Sequence, residues 1–151
     1  MKSVLSRAPR LDHAFPDSAL FEWETEPEHG RLAFGYVPGT DGILALRISG
    51  DIDVTTVGSF GIHLDETLND RQPFVLDLTD VQFFCASALS VLEIMAARAR
   101  RLGLPWAVTG NTAVRRPLTA MKLNNVVPYF PTLDDAFHHV AGGLRSDGVS
   151  A

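Results

Sequence analysis

The chain predicts one α/β domain, a mixed β-sheet with helices mainly on one face, preceded by an N-terminal β-hairpin. Three observations carry this. From Ile43 onward, short apolar runs that read as strands alternate with segments of helical period. Before them, Phe21 to Glu26 and Arg31 to Val37 alternate apolar and polar residues on either side of the turn-forming Pro27-Glu28-His29-Gly30. Finally, 151 residues, 46% hydrophobic and 21% charged, suit one core of adequate size.

Taken in order, Met1 to Ser18 holds three basic residues and two prolines without a sustained period, and reads as a flexible arm over residues 1–18. The domain itself is expected over 19–141, hairpin included. The acidic side of that hairpin reads as a solvated face, because clustered carboxylates repel unless a cation sits between them. Pro38 to Gly42 forms a turn, and Ile43 to Ile48 a third strand placed centrally in the sheet. Helix one is expected to start near Val54, capped by Asp53, with Val57, Phe60 or Gly61, Leu64 and Leu68 facing the sheet. Phe74 to Leu78 is an apolar run broken by Asp77 and ended by Thr79-Asp80. Helix two runs from about Ala86 to Leu102, with Leu89, Leu92, Met95 or Ala96, Ala99 and Leu102 inward. Arg98, Arg100 and Arg101 complement the negative end of its dipole, and Gly103 suits a left-handed termination before Pro105. Trp106 to Thr109 is the next strand. A helix follows from about Thr112 to Leu123, in which Pro117 forces either a kink or a start near the proline. The last helix spans about Leu133 to Val140, leaving 142–151 as a flexible tail.

Composition narrows the function. A net charge of −5 argues against general nucleic-acid affinity, which needs Lys and Arg to neutralise phosphates. A single cysteine, no signal-peptide pattern in Met1 to Arg10 and no stretch of membrane-spanning length point to a cytoplasmic protein without a membrane partner. No phosphate-binding loop, dinucleotide fingerprint or Gly-x-Ser-x-Gly turn occurs, so no enzyme activity and no cofactor are expected. His138 and His139 diverge by about 100° on a helix and cannot easily share a metal, and His13, His29 and His63 are isolated. No metal site is expected.

The most informative stretch joins the Phe74 strand to helix two through Cys85, Ala86, Ser87 and Ala88. At such a junction the first-turn N–H groups lack helical partners and can meet an anion or a partner's backbone, and small side chains leave them accessible. Asp77-Leu78-Thr79-Asp80-Val81-Gln82-Phe83-Phe84 resembles the STAS family (sulfate transporter and anti-sigma factor antagonist domains), whose phosphoswitch members read Asp-Leu-Ser-x-Val-x-Phe-Ile/Met-Asp-Ser-Ser/Thr-Gly-Leu. The next four residues depart from that pattern: Cys85 replaces the aspartate, Ala86 the usual regulatory serine and Ala88 the glycine, while Ser87 stands at the second Ser/Thr. Ser49-Gly50-Asp51-Ile52-Asp53 resembles the family's Gly-Glu-Leu-Asp turn, and Gly110 to Arg116 its strand exit into the third helix. The resemblance covers roughly Arg31 to Val140 and implies the same STAS-like sandwich.

It further implies a regulatory protein-binding domain of the anti-sigma factor antagonist type, whose partner is an anti-sigma factor with kinase activity. The partner-binding residues would be Asp53, Phe84, Cys85, Ala86, Ser87 and Ala88, with Ser87 the candidate phosphoacceptor. Two versions follow: Ser87 substitutes as acceptor, or the protein binds without a phosphorylation switch. Each residue also has a plainer reading, Ser87 as a first-turn hydroxyl bonded locally, Cys85 as a packed thiol and Asp53 as a helix cap. Rival functions are a small-molecule or anion sensor with a pocket lined by Phe83, Phe84 and Trp106, and a scaffold acting through Trp23 and the acidic hairpin. A homodimer is compatible with the sequence.

Overall fold

The structure, a computed structural model, describes residues 31–150. The expected arm and the first hairpin strand, Phe21 to Glu26, lie outside the described residues. Five strands form one sheet in the order β1 (Ala33–Pro38), β2 (Leu44–Ile52), β3 (Phe74–Phe84), β4 (Trp106–Gly110), β5 (Tyr129–Phe130). β1 is antiparallel to β2, and the other neighbours are parallel. The helices are α1 (Val57–Asn69), α2 (Ala86–Leu102), α3 (Thr112–Ala120) and α4 (Leu133–Ser150).

The pleat divides the strands between two cores. Leu44, Leu46 and Ile48 of β2, Phe74, Leu76 and Leu78 of β3, and Trp106 and Val108 of β4 pack under α1, α2 and α3. Their alternates Ala45, Val75 and Ala107 meet Ala136, Phe137, Val140 and Ala141 of α4 on the other face. Three helices therefore share one face and the fourth closes the opposite one. Strands covered on both sides become near-continuously apolar, as Phe74 to Leu78 is.

β3 does not end at Thr79-Asp80. It continues to Phe84 through two register shifts against β2, where Arg47 pairs with Asp77 but Ser49 with Asp80, and Gly50 pairs with Val81 but Asp51 with Phe83. Each shift inserts one residue in β3, a bulge that resets which face follows. Leu78, Val81 and Phe84 consequently all reach the same core at a spacing of three, a period that reads as neither strand nor helix in a sequence.

Asp77, which interrupts the apolar run, is 1% exposed. Its carboxylate is fully engaged: Oδ2 accepts from Arg47 Nε and lies 2.9 Å from its NH2, while Oδ1 accepts from the Thr79 N–H and hydroxyl at 3.0 and 2.7 Å. A buried charge is tolerable only when paired and hydrogen-bonded in this way.

α2 occupies the expected span and ends on Gly103 at φ 63, ψ 31. Leu102, expected inward, is 39% exposed as the last residue of the helix, directly before the left-handed Gly103. Arg98 does more than complement a dipole: it pairs with Asp65 and donates to Asn69 of α1 at 3.2 Å, tying the two helices together. α3 starts at Thr112 and passes through Pro117, ending at Ala120 rather than Leu123. Lys122 at φ 57 and the Leu123 N–H returning to the Leu118 carbonyl at 2.9 Å close it. α4 runs past the expected Val140 to Ser150. A Cβ at Gly143 would stand 3.3 Å from Pro105, so this glycine lets the helix lie close over the start of β4.

Candidate functional site

β2 and β3 end side by side, with Ile52 opposite Phe84, and the Cys85 N–H donates to the Ile52 carbonyl at 2.9 Å. The turn after β2 and the start of α2 are thereby held together at the carboxyl edge of the parallel strands, where open α/β sheets place binding sites.

Asp53 caps a turn rather than the helix. Its Oδ1 accepts from the Thr55 N–H at 2.9 Å, the Thr55 hydroxyl at 2.6 Å and the Thr56 N–H at 3.2 Å. The hydrogen bonds from Thr55, above all its hydroxyl, hold the Asp53 carboxyl below its ordinary range. Thr56 locks the other side, donating to the Asp51 carbonyl at 2.7 Å and accepting from the Asp53 N–H at 2.9 Å. α1 therefore begins at Val57, later than the expected Val54, because Asp53 to Thr56 are consumed by this side-chain-bonded turn. Val54 stands at its tip, 80% exposed.

At the second junction no loop intervenes. β3 ends at Phe84, Cys85 is the extended N-cap residue and α2 begins at Ala86. The Cys85 side chain makes no capping hydrogen bond, and it lies half-buried against the core. Its carbonyl accepts from the Ala88 N–H at 3.0 Å. Ala86 and Ser87 are exposed on the first turn.

Two expected contact residues are corrected. Phe84 is 6% exposed, its ring edge-on to Phe60 at 5.9 Å, and Ala88 is 0% exposed beneath α2. Both turn into the core because the second bulge points Phe84 inward and Ala88 lies on the sheet-facing stripe of the helix. They shape the site from below and offer no side chain to a partner. The outward residue at the strand end is Phe83, 53% exposed, beside Asp51 in register. A pocket combining Phe83, Phe84 and Trp106 does not form either. Phe83 and Phe84 face opposite sides of the sheet, and Trp106 pairs with Phe74, roughly 30 Å back along β3 at about 3.3 Å per residue.

Asn111 is the residue that sequence reasoning missed. Its Oδ1 accepts from the Ala113 N–H at 2.7 Å and caps α3, while Nδ2 donates to the Thr79 and Val81 carbonyls at 2.9 and 2.8 Å. Pairing between β3 and β4 stops at Leu78 and Gly110, so these bulge carbonyls have no strand partner there and one side-chain amide serves both. The signal was an asparagine directly after a strand glycine and before a helical period.

Among the described residues no group of three or more His, Cys, Asp or Glu side chains could hold a metal ion, and no helix is long and apolar enough to cross a membrane.

Comparison with known proteins agrees with this architecture. The fold matches a crystal structure of an anti-sigma factor antagonist from Mycobacterium paratuberculosis with a TM-score of 0.64 at 28% identity, covering 78% of this chain and 98% of that one. A Thermotoga maritima structure matches with a TM-score of 0.63 over 72% of this chain and 94% of its own, at 23% identity a likeness of fold alone. Among curated proteins, Osmosensory protein A of Mycobacterium tuberculosis is 25% identical over 103 residues, which span 66% of this chain and 65% of that relative, just under two thirds of its length. The sequence matches the STAS domain over residues 36–136, from β1 into α4, and the chain belongs to the STAS domain family.

Proposed function

We propose that this domain is a cytoplasmic regulatory protein that binds an anti-sigma factor with kinase activity, and that it does so without the family's usual phosphorylation switch. The observation that carries the reading is Ala86. It stands exposed on the first turn of α2, at the position where switchable relatives carry their serine, and it has no oxygen to phosphorylate. The partner surface on this reading consists of Ala86, Ser87 and the outer edge of Cys85, flanked by the Asp53 turn and by Phe83. Its first-turn N–H groups and small side chains suit close approach by another chain.

A second version rests on Ser87, exposed one position further along. A phosphate there would meet the positive end of the α2 dipole, so the fold would tolerate it, yet a partner could not desolvate nearly two negative charges without matching cations. On a helix Ser87 is turned about 100° from Ala86, so a kinase must reach it differently.

The test is reconstitution with an ATPase-fold anti-sigma factor from the same cells. The complex is challenged with ATP, and phosphate is mapped on the peptide containing Ser87. A complex that survives ATP without phosphate supports the unswitched binder; dissociation with phosphate at Ser87, abolished in S87A, supports the displaced acceptor. If no such partner binds, the protein-binding reading falls.

A further inference from the structure

At the far end of α2 from Ser87, roughly 20 Å along the helix at about 1.5 Å per residue, lies a cleft of ≈ 300 Å³. It is independent of the partner site. Three separate segments bring polar side chains to it: Arg100 from α2, Asn124 and Asn125 from the segment after α3, and His139 from α4, over a floor that includes Pro105 and Trp106. Among the described residues no aspartate or glutamate lines it, although the chain carries 18 of them and a net charge of −5.

The charge balance of the cleft is one-sided, with a guanidinium and no carboxylate among its lining residues. The side chains of Arg100, Asn124, Asn125 and His139 form no hydrogen bond or ion pair with any described residue. Three nearby backbone acceptors are occupied: the Ala99 carbonyl receives the Leu104 N–H at 2.9 Å, the Arg100 carbonyl the Gly103 N–H at 3.1 Å and the Pro128 carbonyl the Val108 N–H at 2.9 Å. The carbonyl end of α2 would by itself repel an anion; these bonds and the adjacent Arg100 and Arg101 offset it. Arg100, Asn124, Asn125 and His139 are exposed side chains that can all donate, and a guanidinium with no carboxylate among the lining residues fits an oxyanion. The His139 ring is placed by Phe130, its centroid 4.6 Å away at 34°, and with the partly exposed Pro105 it gives an organic group something to pack on. The volume sits at the small end of ligand sites.

We infer that this cleft binds a small organic phosphate, with Arg100 and His139 on the phosphoryl oxygens, Asn124 and Asn125 as further donors, and the organic moiety over Pro105. Phenyl phosphate is a suitable probe, with inorganic phosphate and phenol separating the two halves of the ligand. Titration calorimetry on the full chain is expected to show one site, with phenyl phosphate binding about tenfold or more tightly than either half. R100Q and H139Q, both at exposed positions, should each weaken it about tenfold, and R116Q on α3, which removes the same charge elsewhere, by less than about twofold. In the wild type, the side-chain amide resonances of Asn124 and Asn125 should shift on binding. Absence of binding up to about 10 mM, equal weakening by R116Q, or resonance shifts confined to the Ala86 end of α2 would each overturn the assignment. The readout needs no protein partner, so its failure leaves the anti-sigma factor reading untouched, and the reverse holds.

Discussion

Replacing Asn111 separates two roles that one side chain performs. Asn111→Asp keeps the capping oxygen, since aspartate and asparagine cap helices about equally well, and removes both donors to β3. The Val81 carbonyl is partly buried, so leaving it unpaired costs about 1–2 kcal/mol. The more exposed Thr79 carbonyl can turn to water and costs about 0.5 kcal/mol. Placing a carboxylate oxygen where an N–H pointed adds repulsion against both, for a total near 2–3 kcal/mol. Asn111→Ala loses the same two bonds without the repulsion but forfeits the cap, worth about 1 kcal/mol, and should fall in the same range. For a chain of this size about 3 °C of melting temperature accompanies each kcal/mol, so both variants should melt roughly 6–9 °C below the wild type. Urea unfolding followed by far-UV circular dichroism gives the free energies directly. If Asn111→Asp stays within about 0.5 kcal/mol of wild type while Asn111→Ala loses about 1, the asparagine is only a cap and the clamp on the bulges contributes nothing.

Gly50→Ala should destabilise by about 1–3 kcal/mol in thermal melts, because Gly50 sits at φ +117 and a Cβ would stand 3.0 Å from the Arg31 carbonyl oxygen. Arg47→Leu should cost about 2–3 kcal/mol in urea titration by stranding the Asp77 carboxylate on Thr79 alone, somewhat below a fully buried pair because Arg47 is 24% exposed. His63 stacks on Phe34 with centroids 3.4 Å apart, and burial lowers its pKa from 6.5. As pH falls through about 6.5 the unfolded chain takes up a proton that the folded His63 still refuses, so stability declines below that pH until the folded ring also protonates. Comparing melts across that interval, His63→Phe should keep the ring contact and flatten this part of the decline; an unchanged slope would show that another group causes it.

Much of the architecture was legible because its causes are local. The limits of α2 follow from an apolar stripe bounded by small residues at one end and by Gly103 at the other, and Gly103 does take the left-handed conformation that ends the helix. The Asp53 turn was visible as a polar cluster before a helical period, although its threonines take up the residues assigned to the first turn of α1. The site was legible as a junction but not as a surface. Phe83 and Phe84 are adjacent aromatic residues, and which one faces out depends on bulges that exist only in the pairing of β3 with β2. Arg47, like Asp77 a charge inside an apolar strand, meets it only through the register of two strands thirty residues apart in the chain.

By itself, then, the sequence determined the order and kind of the elements from Arg31 onward except the short strand β5 (Tyr129–Phe130), and the small-residue entry into α2, since periodicity, turn chemistry and capping act within a few residues of one another. Only the tertiary structure decided that α4 covers the second face of the sheet, that Phe84 and Ala88 point inward, that Asn111 holds the end of β3, and that Arg100 and His139 share a cleft. These depend on register and layer packing, which bring together residues far apart in the chain, and no local pattern encodes which of several acceptable partners a side chain will meet.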